Sequence, residues 1–218
     1  MINKHKATLD AAVQALHGRT FFAAFPENPS PEIYGADADA QGRAKFAAQR
    51  GQHFTELQQG EPEAWVGQEE SPYEQQPLGV QYPFFSAETV VKNAQGAFAE
   101  WRKLKPALRA ALLTEALEGM KNRFFEIAYA TMHTTGQAYM MSFQASGPHA
   151  ADRALEAIAA GYEEQTRFPE ETRWEKPMGK YSIALHKPGA PCPRGWPWLS
   201  AALLFPPGTR CRACSPPS

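Results

Sequence analysis

Apolar residues recur at helical spacing near the start of the chain and again, over a much longer stretch, between residues 86 and 166. In residues 4–17 Leu9, Val13 and Leu16 step by four and three, which predicts a short helix that Gly18 stops. From Phe21 to Pro83 the periodicity gives way to repeated Pro and Gly, and only residues 37–49 keep a helical pattern. So long an irregular stretch is either disordered or draped over a larger body. Its aromatics, among them Phe25, Tyr34, Phe46, Trp65, Tyr73 and Tyr82, favour draping, because disordered segments are poor in aromatic residues.

Residues 86–166 are the helical centre. Ser86 has the chemistry of an N-cap, with Glu88 in the first turn where a carboxylate suits the helix dipole. Val90, Ala94, Ala97, Phe98 and Trp101 then form one apolar face. A second helix begins at Pro106, a position where the missing N–H costs nothing. Leu113, Leu117, Met120, Phe124 and Ile127 continue it by threes and fours to a stop at Gly136. Another helix runs from Gln137, is interrupted at Gly147-Pro148, and resumes through Ala151, Leu155, Ile158, Ala159 and Tyr162. Such stripes are packing surfaces, and all of them are assigned to core. Residues 174–187 read as extended, with a strand around Tyr181–His186. The expected class is mainly α with a long irregular N-terminal segment, organised as 1–85, 86–187 and 188–218.

Composition sharpens the last boundary. Residues 188–218 hold eight of the nineteen prolines, all three cysteines and three arginines, and no acidic residue. The tail therefore carries +3, which leaves 19 basic against 23 acidic residues, a charge of −4, before it. Pro, Gly, Ala and Arg are residues of GC-rich codons, so the expectation is a frameshift near Lys187 and a disordered tail. The alternative for the same residues is a small zinc site, with Cys211-x-x-Cys214 completed by Cys192 and His186. A lone C-x-x-C is a weak signal, and no metal ligand is assigned.

With a formal net charge of −1 there is no global basic field, so nucleic acid is not an expected partner. No stretch approaches the ~18 uninterrupted apolar residues of a membrane span. The basic start, Met1 to Lys6, is followed by no apolar signal core, so the chain reads as cytoplasmic. Cysteines confined to the last 27 residues do not make a disulfide-stapled secreted domain.

Several motifs together resemble the aldehyde dehydrogenase superfamily. They are Ala97-Phe98-x-x-Trp101, Arg109-Ala110-x-Leu112-Leu113, and Glu126-Ile127-Ala128 leading to Thr134-Thr135-Gly136-Gln137. Phe25-Pro26-Glu27-Asn28-Pro29-Ser30-Pro31 with Tyr34-Gly35, Trp65-Val66-Gly67 with Ser71-Pro72-Tyr73, Ser142-Phe143-Gln144-Ala145-x-Gly147-Pro148-His149-Ala150-x-Asp152-Arg153, and Trp174-Glu175-Lys176-Pro177-x-Gly179-Lys180-Tyr181 narrow it. These look like the aldehyde dehydrogenase-like N proteins of bacterial phenylacetic acid degradation. The resemblance covers residues 1–187 and implies the N-terminal portion of an α/β fold.

It also implies oxidation of an aldehyde from aromatic-ring catabolism with NAD or NADP as hydride acceptor. In the family a cysteine thiolate adds to the aldehyde, a glutamate activates water, and an asparagine with a backbone N–H stabilises the oxyanion. None of these groups has a matching position here. Cys211 and Cys214 lie in residues that do not match, so no catalytic or cofactor-binding residue is assigned. The chain alone is expected to be inactive and to bind no dinucleotide. An alternative is a noncatalytic interaction protein that oligomerises or docks onto a full-length dehydrogenase, since the stretch matching Glu175–Lys187 leads into the family's oligomerisation hairpin.

Two groups invite a functional reading. Gly147-Pro148-His149 with Asp152-Arg153 is a polar cluster at a helix start, expected to be a cap with surface pairs. His133 has no nucleophile near it in sequence and is expected to be a helix-face residue.

Overall fold

The computed structural model describes residues 1–57 and 59–189. The tail beyond Gly189, with its three cysteines, lies outside the described residues.

The first helix, α1 (Ile2–Gly18), places Leu9 and Ala12 in the core. Gly18 is its last residue rather than its stop: Arg19 takes the left-handed conformation (φ 51°) that closes it. A single turn, α2 (Pro31–Tyr34), leads to α3 (Ala38–Gln49). Four short strands follow: β1 (Ala64–Val66), β2 (Glu70–Ser71), β3 (Gln76–Pro77) and β4 (Tyr82–Phe84). They pair antiparallel as β1–β4 and β2–β3. The helical centre comprises α4 (Ala87–Trp101), α5 (Pro106–Lys121), α6 (Phe124–Thr135), α7 (Tyr139–Ser146) and α8 (Pro148–Thr166). An antiparallel hairpin, β5 (Glu171–Met178) with β6 (Tyr181–Pro188), completes the described chain.

The helical stretch from Pro106 to Gly136 is two helices, not one. Arg123 leaves the helical region at φ −117°, ψ 2°, so α5 ends and α6 starts afresh at Phe124. The break redirects Phe124, Phe125 and Ala128 into one cluster with Leu9, Phe25, Leu117, Phe143, Leu155 and Ile158. Phe124 and Phe143 are fully buried. Around them Phe25, Tyr34 and Phe125 pack edge-on or tilted at centroid distances of 4.9–6.4 Å, the favoured geometry for aromatic pairs.

Two close approaches need glycine. A Cβ on Gly42 would stand 2.3 Å from Phe125 Cβ, where α3 crosses α6. One on Gly147 would stand 2.7 Å from the Phe143 carbonyl oxygen and 3.1 Å from the Phe124 ring, between α7 and α8. At the same crossing the buried Glu126 accepts from Gln49 (2.5 Å) and twice from Arg123 (2.6 and 2.9 Å), so α3, α6 and the α5–α6 break are tied together. A smaller cluster of Phe46, Leu78 and Val80 seats the β2–β3 turn on α3 and α6.

The irregular N-terminal segment does drape over the helical body, with Phe25 and Phe46 buried, although Phe21 is 87% exposed. The expectation for the 87–101 face is corrected. None of α4's residues is buried: Val90, Val91 and Ala97 are exposed, while Ala94, Phe98 and Trp101 are half-buried.

Truncating Phe124 to Ala removes the centre of the aromatic cluster and is expected to cost about 3–5 kcal/mol in urea unfolding. Val90→Ala on the open side of α4 is expected to change stability by less than about 0.5 kcal/mol. Equal losses at the two positions would contradict this placement of the core.

Candidate functional site: an open hairpin beside a clamped helical body

Two clusters carry chemistry-bearing side chains, and both are structural. Ser71 is completely buried, and its Oγ lies 2.7 Å from Nδ1 of His133, 62 residues away in sequence. That partner is invisible in the linear sequence. The pair is not a catalytic dyad, however. Ser71 Oγ also accepts the Glu74 N–H (3.2 Å). The Glu74 carboxylate approaches that same nitrogen, at 4.0 Å. A relay needs base and orienting carboxylate on opposite ring nitrogens, and a nucleophile that substrate can reach.

What the cluster does is hold the β2–β3 turn against the end of α6. Tyr73 shares its hydroxyl hydrogen between the carbonyls of Gly136 (3.1 Å) and Gln137 (2.9 Å), just past the end of α6. Phe46 stacks on the His133 ring at 5.1 Å. Arg50 pairs with Glu74 at 2.5 and 3.1 Å and holds its carboxyl below the usual range.

The second cluster lies at the start of α8. His149 faces Glu27 at 3.7 Å and Arg153 faces Glu156 at 2.7 Å, both exposed pairs, as expected. Asp152 departs from that expectation: it is buried, and its carboxylate accepts the backbone N–H groups of Ala24 (2.8 Å) and Phe25 (3.3 Å). Burial raises its pKa, with the two N–H donors acting against that shift. Asp152 thus pins the irregular segment where Phe25 enters the aromatic cluster. Tyr34, which donates to the Pro26 carbonyl at 2.5 Å, fixes the next turn of the same segment.

A cleft of about 840 Å³ opens between α2–α3 and the end of α5. Lys4, Lys45 and Lys121 line it against Asp37, Glu115 and Glu118, so its charges balance. Glu115 is already bound to Lys4 (2.7 Å) and to buried His5 (2.6 Å). His186, the proposed fourth zinc ligand, is an exposed β6 residue 3.5 Å from Glu171. The cysteines of that reading lie outside the described residues. Among the described residues no group of His, Cys, Asp and Glu could hold a metal.

The remaining distinctive surface is the hairpin. Residues paired across an antiparallel ladder share a face. The pairs Trp174–Leu185, Lys176–Ile183 and Met178–Tyr181 therefore make one mostly apolar side. The pairs Arg173–His186, Glu175–Ala184 and Pro177–Ser182 make a polar side, where Arg173 bonds Glu175 at 2.6 Å. Lys187 caps the Trp174 ring at 4.6 Å, a cation–π contact at the edge of the apolar side. Every residue of both strands is exposed, including Trp174, Ile183 and Leu185 at 40–47%. An isolated two-stranded hairpin is marginal in water, so this geometry fits an element completed by a partner surface.

A model of the aldehyde dehydrogenase family matches residues 70–203, more than half of the sequence. The chain belongs to the aldehyde dehydrogenase family. The crystal structure of an NAD-dependent aldehyde dehydrogenase from Burkholderia multivorans is similar to it, with a TM-score of 0.81 and 41% identity over 86% of this chain. The aligned part is 33% of that protein, so this family member spans about a third of its relative's length. Comparison with curated proteins gave no significant match. The family match takes in α4 to α8 and the hairpin and runs past Lys187 to residue 203. The resemblance read from the motifs is thus shown at the level of the family, and the mainly helical piece of its fold is what the structure contains.

Dinucleotide binding in such folds uses a parallel sheet with a phosphate-binding turn at a helix N-terminus. The described residues do not fit that group: their three sheets are two-stranded and antiparallel. No helix among them is long and apolar enough to cross a membrane.

Asp152→Ala takes the acceptor from the buried Phe25 N–H and the half-buried Ala24 N–H and is expected to cost about 2 kcal/mol. The pH dependence has a defined sign. A carboxyl whose native pKa lies above its ordinary 3.8 contributes stability that is full below that value and is lost as pH rises through the native pKa. Asp152→Asn has no such loss. The wild-type minus Asp152→Asn difference in unfolding free energy should therefore fall with rising pH, and a rising difference would refute the assignment.

Proposed function

We propose that the chain forms the N-terminal helical part of an NAD-dependent aldehyde dehydrogenase of aromatic-compound, specifically phenylacetate, degradation, and that these 218 residues alone do not turn over aldehyde. The observation that carries the reading is the shared fold with a third of an NAD-dependent relative, in a chain with no cysteine before residue 192. Aldehyde oxidation of this type needs a thiolate nucleophile, a base and a dinucleotide site. The described residues offer a buried serine, paired carboxylates and antiparallel hairpins instead.

The narrower assignment rests on the motif residues that resemble phenylacetate-degradation proteins. Six of them are packing and clamping groups: Phe25, Tyr34, Ser71, Tyr73, Gly147 and Asp152 all bind one segment to another. Such residues record descent within a family rather than substrate contact. Purified chain mixed with NAD or NADP and a panel of aromatic and aliphatic aldehydes is expected to show no reduced nicotinamide above the no-aldehyde control. Aldehyde-dependent reduction would overturn the inactivity of the lone chain.

The open hairpin favours a second reading, in which the chain docks on a full-length dehydrogenase as an interaction protein. Its apolar side then takes up the partner. Ile183→Asp with Leu185→Asp should abolish co-purification with an intact family enzyme and leave the unfolding of the helical body unchanged within about 0.5 kcal/mol. Retained co-purification by this variant would exclude the hairpin as the docking element.

A further inference from the structure

The apolar side of α4 is a second incompletely covered surface, separate from the hairpin. Val90, Ala94, Ala97 and Trp101 step by four, three and four along it, with Phe98 beside them. Among helices longer than one turn in the described residues, α4 alone has no buried residue, and Val90 and Val91 are 39% and 37% exposed. A helix of this length is marginal in water unless its apolar side is packed.

Its N-terminal end is nevertheless fixed in place. Ser86 Oγ accepts the Thr89 N–H at 3.3 Å. Glu63 accepts from the Ser86 N–H (3.2 Å), the Ser86 hydroxyl (2.8 Å) and the Thr89 hydroxyl (2.5 Å). Asn93 donates to the Gln59 carbonyl at 3.2 Å. The helix is anchored at one end and presents a stripe that is only half-covered, exposed at Val90, Val91 and Ala97, in a chain whose match takes up a third of its relative.

We propose that the apolar face of α4 is the docking surface for the two-thirds of the aldehyde dehydrogenase fold that this chain does not span, and that it binds that portion even when it is supplied as a separate polypeptide. The inference rests on the family reading of the chain. It concerns association, whereas the proposed function concerns turnover, so the two fail separately.

The test is co-expression of the full 218-residue chain with the Burkholderia multivorans enzyme shortened to the two-thirds outside the match, followed by size-exclusion chromatography with light scattering. The expected result is a one-to-one complex in which amide exchange along α4 slows. A charge placed on the stripe, Ala97→Glu or independently Val90→Glu, is expected to weaken the complex by about tenfold or more. The melting temperature of the lone chain should be unchanged, because Val90 and Ala97 are exposed in it. Absence of a complex with the wild-type chain, equal binding by both variants, or a dimer of the lone chain that both variants disrupt would each overturn the proposal. Aldehyde turnover by the lone chain would instead count against the proposed function.

Discussion

The packing of rings around Phe124 and Phe143 is the constraint on which the rest of the structure depends. Five aromatic side chains from α2, α6, α7 and the irregular segment meet there, and they can do so only if the chain bends at two places. One is the break at Asn122–Arg123, which turns α6 so that Phe124 and Phe125 point inward. The other is Gly147, where any side chain would strike the Phe124 ring or the Phe143 carbonyl. Asp152 then brings the backbone at Ala24–Phe25 to the cluster, at the cost of burying a carboxylate. Two charge-free N–H donors offset part of that desolvation, and the net effect is a raised pKa at a position where the geometry is needed.

From this centre outward, order declines in a recognisable way. α1, α5 and α8 share the cluster, and α3 reaches α6 through Gly42 and the Glu126 bonds. The β2–β3 turn is clamped by Ser71, Tyr73 and Glu74. α4 and the β5–β6 hairpin lie beyond the reach of any of these contacts. Each is amphipathic, and neither has a buried residue. That combination describes a piece of a larger fold better than a self-contained catalyst, and it agrees with the third of a dehydrogenase that the chain spans.

Much of this was legible in the sequence, and the failures have physical causes. Ser86, Pro106, Gly136 and Gly147-Pro148 marked helix ends correctly, because caps and breakers act locally. The break at Asn122–Arg123 was hidden, since Leu117 and Phe124 keep helical spacing across it. The apolar stripe of α4 was read as core, because periodicity reports that a face is apolar and not whether anything covers it. The Ser71–His133 and Asp152–Ala24 bonds join residues 62 and 128 positions apart, beyond any local pattern. Several motifs behind the family resemblance, those around Phe25, Ser71, Gly147 and Asp152, are such long-range fasteners, and groups of that kind mark a family without marking an active site.

The central claim is a packed helical body bearing two elements without a buried residue, and native-state hydrogen exchange on the lone chain tests it most directly. Amides of α5, α6 and α8 should exchange only through global unfolding, while those of α4 beyond its anchored first turn and of β5 and β6 should exchange through local opening and far faster. Protection of α4 and the hairpin equal to that of α6 would contradict the account, as would rapid exchange throughout α6.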